Sequence, residues 1–547
     1  MKRVFKITGL IFLSLVILLF SALLFLPYIV DLNNYREAAA RESGRALNRK
    51  VSIGDIRLTT ITGIGVGLKD IKVDEDLLGV DSLRLRLSLL PLLKGRIEFS
   101  RIIIDKPSLL LKRDREGSWN ASQAAEGDKL KTKKPSEPEG KDDISFKIWA
   151  ALLVSDMEIK NGKVRLQDIS SKKPVSLLSI KGLDIRARDI SLNNAINING
   201  TALLDMDNSK PSKIELTGTV GPVGGAIDVK GMPVNIVLKT KDIDLSPYNS
   251  FFGLTKDNKL SGHGFGDIII KGKAGDPAIA GKINLGNLEY SYIFGPADEN
   301  KKTGRIRLTE IKIPLEMQGR IINLSELTFR LYEGSSKIAI HIDTNKKEPH
   351  IMLKPDIASV QLEPLLKDLA LTKINISGPL SLNASINTYG MDKDTMLAKA
   401  DGDGFFIIKK GRVSDLELID VIVNLAAIAA SKTRKAGKAA EFDELSGHFR
   451  IEKGYLKTDD LKLIGSNLSI AVRGAYGLLK GELNFDVDAK VDDNHVELKI
   501  TGTTDKPKYV LKTKRIQQNI MKGVVKGLEK GKIDEKDVRE ILKNILK

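Results

Sequence analysis

The chain has 547 residues, of which 42% are hydrophobic but only 5% aromatic, so it can form large aliphatic cores in several domains or in one repetitive domain. It contains no cysteine, which excludes disulfides, thiolate metal sites and cysteine nucleophiles. Its formal net charge is +17, but 70 acidic residues are mixed among 87 basic ones and no nucleic-acid motif is present, so a nucleic-acid-binding protein is not predicted.

The first predicted element is a membrane anchor. Residues 7–26 (ITGLIFLSLVILLFSALLFL) form a charge-free apolar run of the length that a ~30 Å hydrocarbon core requires. The alternative is a cleavable signal peptide, which would have a shorter apolar region and a small-x-small cleavage site. Lys2, Arg3 and Lys6 precede the run, so the positive-inside rule predicts a cytoplasmic N-terminus and an exported remainder. We therefore predict a single-pass membrane protein whose bulk is exported, which in a bacterium means an inner-membrane anchor and a periplasmic bulk.

Most of the remaining chain is predicted to be β. Residues 33–50 (NNYREAAARESGRALNRK) have helical composition, but apolar and polar residues alternate with a period of two after them. The clearest example is residues 482–491 (ELNFDVDAKV), in which every second side chain is apolar. Turns that contain Gly and Asp separate many such segments, as in hairpins and meanders. The pattern predicts a mostly β protein with a long antiparallel sheet and few helices.

Three segments interrupt the alternation. Residues 115–143 are polar, rich in Lys, Glu, Pro and Ser, and without a period, which predicts a flexible surface loop. Residues 413–440 carry apolar residues at helical spacing and then a basic stretch, which predicts a packed helix and a loop. Residues 515–547 carry two apolar stripes at helical spacing among many lysines, which predicts a C-terminal pair of basic amphipathic helices.

The C-terminal helices have two interpretations. In the first, they lie on an anionic membrane surface. In the second, they pack on the last strands and cover the edge of the sheet. We predict a dual role, with the helices capping the free protein and contacting a membrane or a partner when engaged. The membrane-contact candidates are Ile516, Ile520, Val524, Leu528, Ile541, Leu542 and Ile545.

Several segments resemble the AsmA family of bacterial envelope proteins and its TamB-type relatives. Residues 83–120 (LRLRLSLLPLLKGRIEFSRIIIDKPSLLLKRDREGSWN) are similar to the strands around the LLPLL.G core of the family's N-terminal region. Residues 441–491 are similar to the family's C-terminal β region, and the N-terminal anchor completes the likeness. In this chain Trp119 precedes Asn120, whereas the family's turn usually has the opposite order. The resemblance implies a long curved sheet with a concave, elongated apolar groove, and a role in moving phospholipid between the inner and outer membranes.

The alternation and the resemblance together assign residues to a lipid groove. Strands with one apolar face either pack as two sheets in a sandwich or curl around apolar cargo, and the resemblance favours cargo. The groove candidates are Leu87, Leu89, Ile283, Leu285, Ile338, Ile340, Ile342, Leu483, Phe485, Val487, Ala489 and Val491. The predicted organisation is a stub and anchor (1–30), a family-like helix and strands (31–114), the polar loop (115–143), a repetitive groove region (144–412), a helix and basic loop (413–440), a family-like β region (441–514) and the amphipathic helices (515–547).

The sequence does not predict an enzyme. Its five histidines are scattered singly, and no nucleophile elbow or P-loop is present, so no cofactor or metal is predicted. The predicted partners are phospholipid, the inner membrane through residues 7–26 and, at the C-terminus, the outer membrane or one of its proteins. The predicted function is an inner-membrane-anchored, bridge-like lipid transfer protein that supports outer-membrane lipid homeostasis. The alternative is a periplasmic scaffold that assembles outer-membrane proteins by strand-edge pairing.

Overall fold

The structure is a computed structural model of the chain. It describes residues 31–60, 64–88, 91, 99–115, 118–121, 156–170, 175–190, 193–206, 210–222, 230–250, 254, 257–294, 302–371, 375–414, 421–422, 425–426, 440–492, 494–512, 518, 522 and 524–525. The predicted anchor, residues 7–26, lies outside these residues, and within them no helix has the length and apolar character needed to cross a bilayer.

Helices are short and few among the described residues. Those with defined bounds are α1 (Arg36–Leu47), α2 (Leu362–Asp368) and α3 (Lys393–Ala398), with 3-10 turns at Leu32–Tyr35 and Ser246–Tyr248. Residues 421–422, 425–426, 518, 522 and 524–525 are also helical. They fall in the two C-terminal segments for which the sequence predicts helices.

Strands make up most of the described chain, which confirms the prediction of a mostly β protein. Before residue 250 they are β1 (Val51–Ser52), β2 (Asp55–Thr59), β3 (Gly65–Val73), β4 (Leu78–Leu87), β5 (Phe99–Arg113), β6 (Asp156–Asp168), β7 (Val175–Arg188), β8 (Ile196–Leu204), β9 (Ser212–Val220) and β10 (Pro233–Asp244). After it they are β11 (Asn258–Lys273), β12 (Asp276–Phe294), β13 (Lys302–Gln318), β14 (Ile321–Leu331), β15 (Gly334–Asp343), β16 (His350–Gln361), β17 (Asn375–Ser377), β18 (Pro379–Tyr389), β19 (Asp401–Ser414), β20 (Ala440–Glu452), β21 (Tyr455–Ile464), β22 (Leu468–Gly477), β23 (Glu482–Val491), β24 (Asn494–Thr503) and β25 (Lys506–Leu511).

All 25 strands belong to one mixed sheet, and the chain divides into two compact units. The first unit comprises residues 1–255 and 265–279, and the second comprises residues 256–264 and 280–547. In the first unit β1 and β2 pair with the same edge of β3, and each strand from β3 to β10 pairs with the next. In the second unit β13 to β16 and β18 to β25 form a continuous ladder. Both β17 and β18 pair with β19.

One strand pair corrects the prediction of an antiparallel sheet. β5 and β6 run parallel, in register from Arg101 opposite Asp156 to Arg113 opposite Asp168. Parallel neighbours need a crossover of a dozen or more residues, whereas a hairpin turn suffices for antiparallel ones. The connection 114–155 meets that requirement because it includes the polar segment 115–143, most of which lies outside the described residues.

The apolar alternation changes phase within some strands. In β19 both Ile408 and Val413 are buried in the same core, although a strand with strict alternation would place them on opposite faces. Lys410, between them, has a positive φ of 50°, which is a left-handed conformation that a regular strand lacks. This residue reorients the strand, so that the parts before and after it both turn their apolar side chains to one face.

Candidate apolar binding face

Two rows of apolar residues cross nine strands of the first unit, from β2 to β10. One row, in hydrogen-bonding register, is Ile56, Leu68, Leu83, Ile104, Ile159, Ile185, Gly200, Leu216 and Leu238. The row beside it is Leu58, Val66, Leu85, Ile102, Met157, Ala187, Ile198, Gly218 and Ile236. Residues two apart in a strand point to the same side, so these positions form one surface, called here the first apolar face.

The first apolar face is only partly covered. Ile56, Ile102 and Ala187 are buried, and the other members of both rows are half-buried. The inner face of a sandwich would be dry along its length, because the facing sheet excludes water. The side chains of this face shield one another, and the described part of the chain leaves most of them in partial contact with solvent.

A corresponding row crosses twelve strands of the second unit. Its members, in register, are Leu315, Leu324, Ile340, Leu353, Ile386, Gly402, Ile451, Leu456, Tyr476, Leu483, Gly502 and Pro507. Ile451 is buried, and most of the others are half-buried. We call the surface that contains this row the second apolar face.

The second apolar face is sealed near one end of its strands. There a parallel row consists of Val360, Leu380, Ile408, Leu445, Leu463, Ile470, Ala489 and Val496. Six of the eight are buried, and five of these six, all but Val360, share one core with Ile422, Leu425, Ala426 and Val524 from the helical segments and with Leu362 of α2. The sheet is therefore closed by the chain's own helices at this end and left half-covered along the row through Leu353.

Some predicted groove residues are half-buried in their strands, and others lie in or against the sealed core. Leu87 is half-buried at the end of β4, and Ile283, Ile338, Ile340 and Ile342 are half-buried in their strands, whereas Leu285 is buried. Leu483 and Phe485 pack against the sealed core, and Val487, Ala489 and Val491 lie inside it. Leu89 lies outside the described residues. The structure thus brings Ile340 and Leu483 into one row and covers the far end of β23 with helical residues.

Of the predicted membrane-contact residues, only Val524 is described. It is 6% exposed and belongs to the sealed core, which is the position expected for a helix that packs on the sheet. Its neighbour Val525 is 52% exposed. The other six candidates, Ile516, Ile520, Leu528, Ile541, Leu542 and Ile545, lie outside the described residues.

A largely buried carboxylate anchors α2 to the sheet beside the sealed end. Asp368, the last residue of α2, accepts hydrogen bonds from Arg305 Nε at 3.1 Å and from the Tyr332 hydroxyl at 2.8 Å. Burial alone would raise the pKa of Asp368, but the hydrogen bonds from Tyr332 and Arg305 outweigh it and hold this pKa below its ordinary value. Burial, together with the bond to Asp368, raises the pKa of Tyr332 to about 12. The cluster therefore holds its charges at neutral pH and ties α2 to β13 and to Tyr332, the residue that follows β14.

The turn at Trp119 and Asn120 is attached to β5. The Asn120 side chain accepts a hydrogen bond from Lys112 N at 2.9 Å and donates one to Leu110 O at 3.0 Å. Trp119 forms a β-bridge with Arg113. With the Trp-Asn order of this chain, the Asn120 side chain thus bonds to backbone groups of β5 in the way that a neighbouring strand would.

A possible cation-binding cluster lies on the polar face at β23 and β24. His495 Nε2 is 2.5 Å from Asp488 Oδ1, and its Nδ1 is 3.9 Å from Glu497 Oε1. The side chains of Asp488 and His495 are more than half exposed, as in ordinary surface ion pairs. We assign no ion to this cluster.

Comparison with known proteins identifies the family. A model of the AsmA family matches residues 1–222 and 302–461, which is more than half of the chain. The chain belongs to the AsmA family. The matched ranges of this AsmA protein include β1 to β9 and β13 to β20, so they contain most strands of both apolar faces. No curated protein matches the chain.

The sequence did not single out the residues of the first apolar face. Ile159, Ile185 and Leu216 each lie in an alternating segment, so the signal for a one-sided strand was present. Their membership of one row depends on which strands are neighbours and in which register. The parallel β5 and β6 pair joins the two parts of the face, and no local pattern predicts that pair.

Proposed function

We propose that this AsmA protein carries phospholipid acyl chains along its apolar faces, between the inner and outer membranes, and thereby supports lipid homeostasis of the outer membrane. Residues 7–26 would hold it in the inner membrane with the sheet in the periplasm. Membership of a family of bacterial envelope proteins supports this setting. The chain supplies binding surface, and the proposal requires no chemical step.

The observation that carries the proposal is the half-covered apolar surface. Neighbouring strands are ~4.8 Å apart, so rows of nine and twelve strands extend roughly 40 and 50 Å across the strand direction. One leaflet of acyl chains is about 15 Å thick, half of the ~30 Å hydrocarbon core. Each face is thus long enough for several acyl chains. Bound acyl chains would shield from water the apolar side chains that the protein leaves half-covered.

The position of the first face relative to the predicted anchor supports entry of lipid at the inner membrane. The face begins at Ile56 and Leu58 of β2. The 3-10 turn Leu32–Tyr35 lies beside that strand, because Asn33 Oδ1 accepts a hydrogen bond from Ile56 N at 3.0 Å and Asn33 Nδ2 donates one to Asp55 at 2.8 Å. Only a few residues separate this turn from the apolar segment that ends at residue 26.

The strand-pairing scaffold has less support. On the side of β2 away from β3, the Asn33 side chain takes up the Ile56 amide, and Arg36 donates to the Gly54 carbonyl at 3.2 Å. At the other end, β25 has only six residues and carries Pro507 between two lysines, a composition that discourages edge pairing. Among the described strands, these two edges offer little free backbone to a client.

The test is to place one charge in the second apolar face and an identical charge on the opposite face of the same strand. Leu353 pairs with Ile340 and Ile386 within the half-covered row, whereas Lys354 lies on the polar face next to it in sequence. The full chain with Leu353→Asp and the matched Lys354→Asp control are purified from membranes, and co-purified phospholipid is quantified by mass spectrometry. We expect loss of most bound phospholipid only with Leu353→Asp, because a carboxylate disfavours an apolar ligand beside it.

Two results would count against lipid carriage. One is equal phospholipid in wild type and both variants, and the other is absence of phospholipid from the wild type. Melting temperatures are measured in parallel, because a charge on a half-buried surface also destabilises the sheet. If Leu353→Asp is unstable, the smaller and uncharged change Leu353→Ser is used, with the same expected direction.

A further inference from the structure

Arginines accumulate on the polar face of β4 to β7, opposite the first apolar face. The set is Arg84, Arg86, Arg101, Arg186 and Arg188, called here the arginine face. Arg86 lies directly opposite Arg101 in the ladder, and Arg186 and Arg188 lie opposite Glu158 and Asp156. Five guanidinium groups thus occupy one patch of four neighbouring strands.

The acidic residues of this patch do not balance its arginines. Glu158, which is only 7% exposed, accepts hydrogen bonds from Arg101 at 2.7 Å and Arg186 at 2.8 Å. Hydrogen bonding from Arg186 is the main reason that the pKa of Glu158 is lowered, so this carboxylate stays charged. On the same face of β4 to β7, Asp105, Asp156, Glu158 and Asp184 supply four negative charges against the five arginines and Lys160. The patch keeps a surplus of positive charge at neutral pH.

Arg84 and Arg86 hold most of the unbalanced charge. Both are exposed, and no described carboxylate forms an ion pair with either. Their neighbours across the ladder on β3 are Gly67 and Gly65, which have no side chain to offer. Like charges directly opposite each other, as in the Arg86 and Arg101 pair, destabilise a sheet. Contacts within the described chain therefore account for Arg101 and Arg186, which pair with Glu158, but not for Arg84 and Arg86.

Two further donors in the patch lack a partner. Arg101 Nε and Arg186 Nε are buried and make no hydrogen bond within the described structure. A buried donor without an acceptor is unfavourable, but these two atoms are out of reach of an external ligand, so the guanidinium groups open to one are those of the exposed Arg84 and Arg86. Guanidinium groups pair with phosphate through parallel hydrogen bonds, which a cluster of arginines can repeat across neighbouring headgroups. An anionic group rich in oxygen atoms would therefore suit Arg84 and Arg86.

We propose that the arginine face docks the first unit onto the anionic headgroups of a lipid bilayer. A bilayer is favoured over a soluble anion because the apolar segment 7–26, which is predicted to cross a membrane, ends only a few residues before the first described residues of this unit. Basic residues near an anionic surface each add to such binding, and salt screens the attraction. Docking uses the polar face, so it does not depend on whether the apolar face carries lipid.

The test is an arginine footprint of the full chain reconstituted into vesicles. An arginine-specific dicarbonyl reagent is applied to protein in phosphatidylcholine vesicles and in vesicles with about one third phosphatidylglycerol, a typical anionic lipid. Labelling of each arginine is measured by mass spectrometry. We expect several-fold less labelling of Arg84 and Arg86 in the anionic vesicles and recovery of labelling at high salt. Arg330 and Arg450, exposed in the second unit, are the reference residues and are expected to label equally in both vesicles.

A paired variant makes the test specific. Arg84→Gln with Arg86→Gln is expected to remove the protection of Arg188 in anionic vesicles, whereas Arg330→Gln with Arg450→Gln is expected to retain it. Equal labelling of wild-type Arg84 and Arg86 in the two vesicle types would overturn the proposal, and so would equal protection by inorganic phosphate in detergent, which would identify a soluble anion as the ligand. The wild-type footprint decides the question even if a variant fails to fold. None of these outcomes measures cargo on the apolar faces, so the two proposals fail separately.

Discussion

Gly402 lies in the half-covered row of the second apolar face, where the backbones of β18 and β19 approach closely. It pairs with Ile386 on one side and Ile451 on the other. A Cβ atom added at this position would lie 2.9 Å from Ile386 Cα and closer still to the carbonyl oxygen of Ser385. Both are backbone atoms, so a side-chain rotation cannot relieve the contact. We therefore expect Gly402→Ala to separate the two strands locally.

The loss of stability depends on how far β18 and β19 must move apart to admit one methyl group. Overpacking in a well-packed region costs about 1–3 kcal/mol, and a backbone contact of this kind belongs at the upper end of that range. For a unit of the size of the second one, a loss of about 3 kcal/mol lowers the melting temperature by roughly 5 °C. The natural control is Gly286→Ala in β12, because a Cβ at Gly286 meets nothing within 4 Å.

The assay is thermal and denaturant unfolding of the full chain in detergent, with both glycine variants measured beside the wild type. We expect Gly402→Ala to unfold at lower temperature and lower denaturant concentration, and Gly286→Ala to match the wild type or exceed it slightly, since alanine reduces the entropy of the unfolded chain. Equal stability of the two variants would refute the reasoning that close strand approach, and not composition, requires glycine at 402.

Two other predictions concern elements that cover the sheet. Val524→Asp should lower the melting temperature because it buries a charge in the sealed core, whereas Val525→Asp, on an exposed neighbour, should not; equal effects would mean that the C-terminal helix does not pack as described. The pKa of Asp368 is lowered on folding, so its contribution to stability is present at neutral pH and is lost as the pH falls below the ordinary carboxyl range, near pH 4. Asp368→Asn should therefore flatten the decline in melting temperature between pH 7 and pH 3, and an unchanged pH profile would contradict this role.

Local patterns in the sequence predicted much of the secondary structure. Residues 482–491 form β23, with Val487, Ala489 and Val491 buried and Asp486, Asp488 and Lys490 exposed, as their alternation predicts. Side chains alternate across a strand whatever lies around it, so one face can be assigned from the sequence alone. The family resemblance of residues 83–120 and 441–491 is likewise a property of the sequence, and it is confirmed by the family match.

The candidate site was predicted less completely. The sequence identified Ile340 and Leu483 as apolar-face residues and predicted helices that pack on the sheet, but it did not indicate that Ile422 and Val524 would meet in one core over the far end of β23. Covering depends on contacts between segments that are distant in sequence, and a helical stripe does not specify the surface on which it packs. The surplus charge at Arg84 and Arg86 was not predicted for the same reason, because it depends on which residues of β3 and β5 lie opposite them.

The sequence by itself determined that this chain is mostly β, that its strands have one apolar face, and that it belongs among the AsmA proteins, since each of these depends on residue order alone. Only the tertiary structure decided that β5 and β6 pair in parallel, that Lys410 changes the phase of alternation in β19, and that one end of the second apolar face is sealed while the row through Leu353 stays half-covered. The physical reason is that strand order, register and covering are set by the free energy of long-range contacts, to which any short stretch of sequence contributes only one partner.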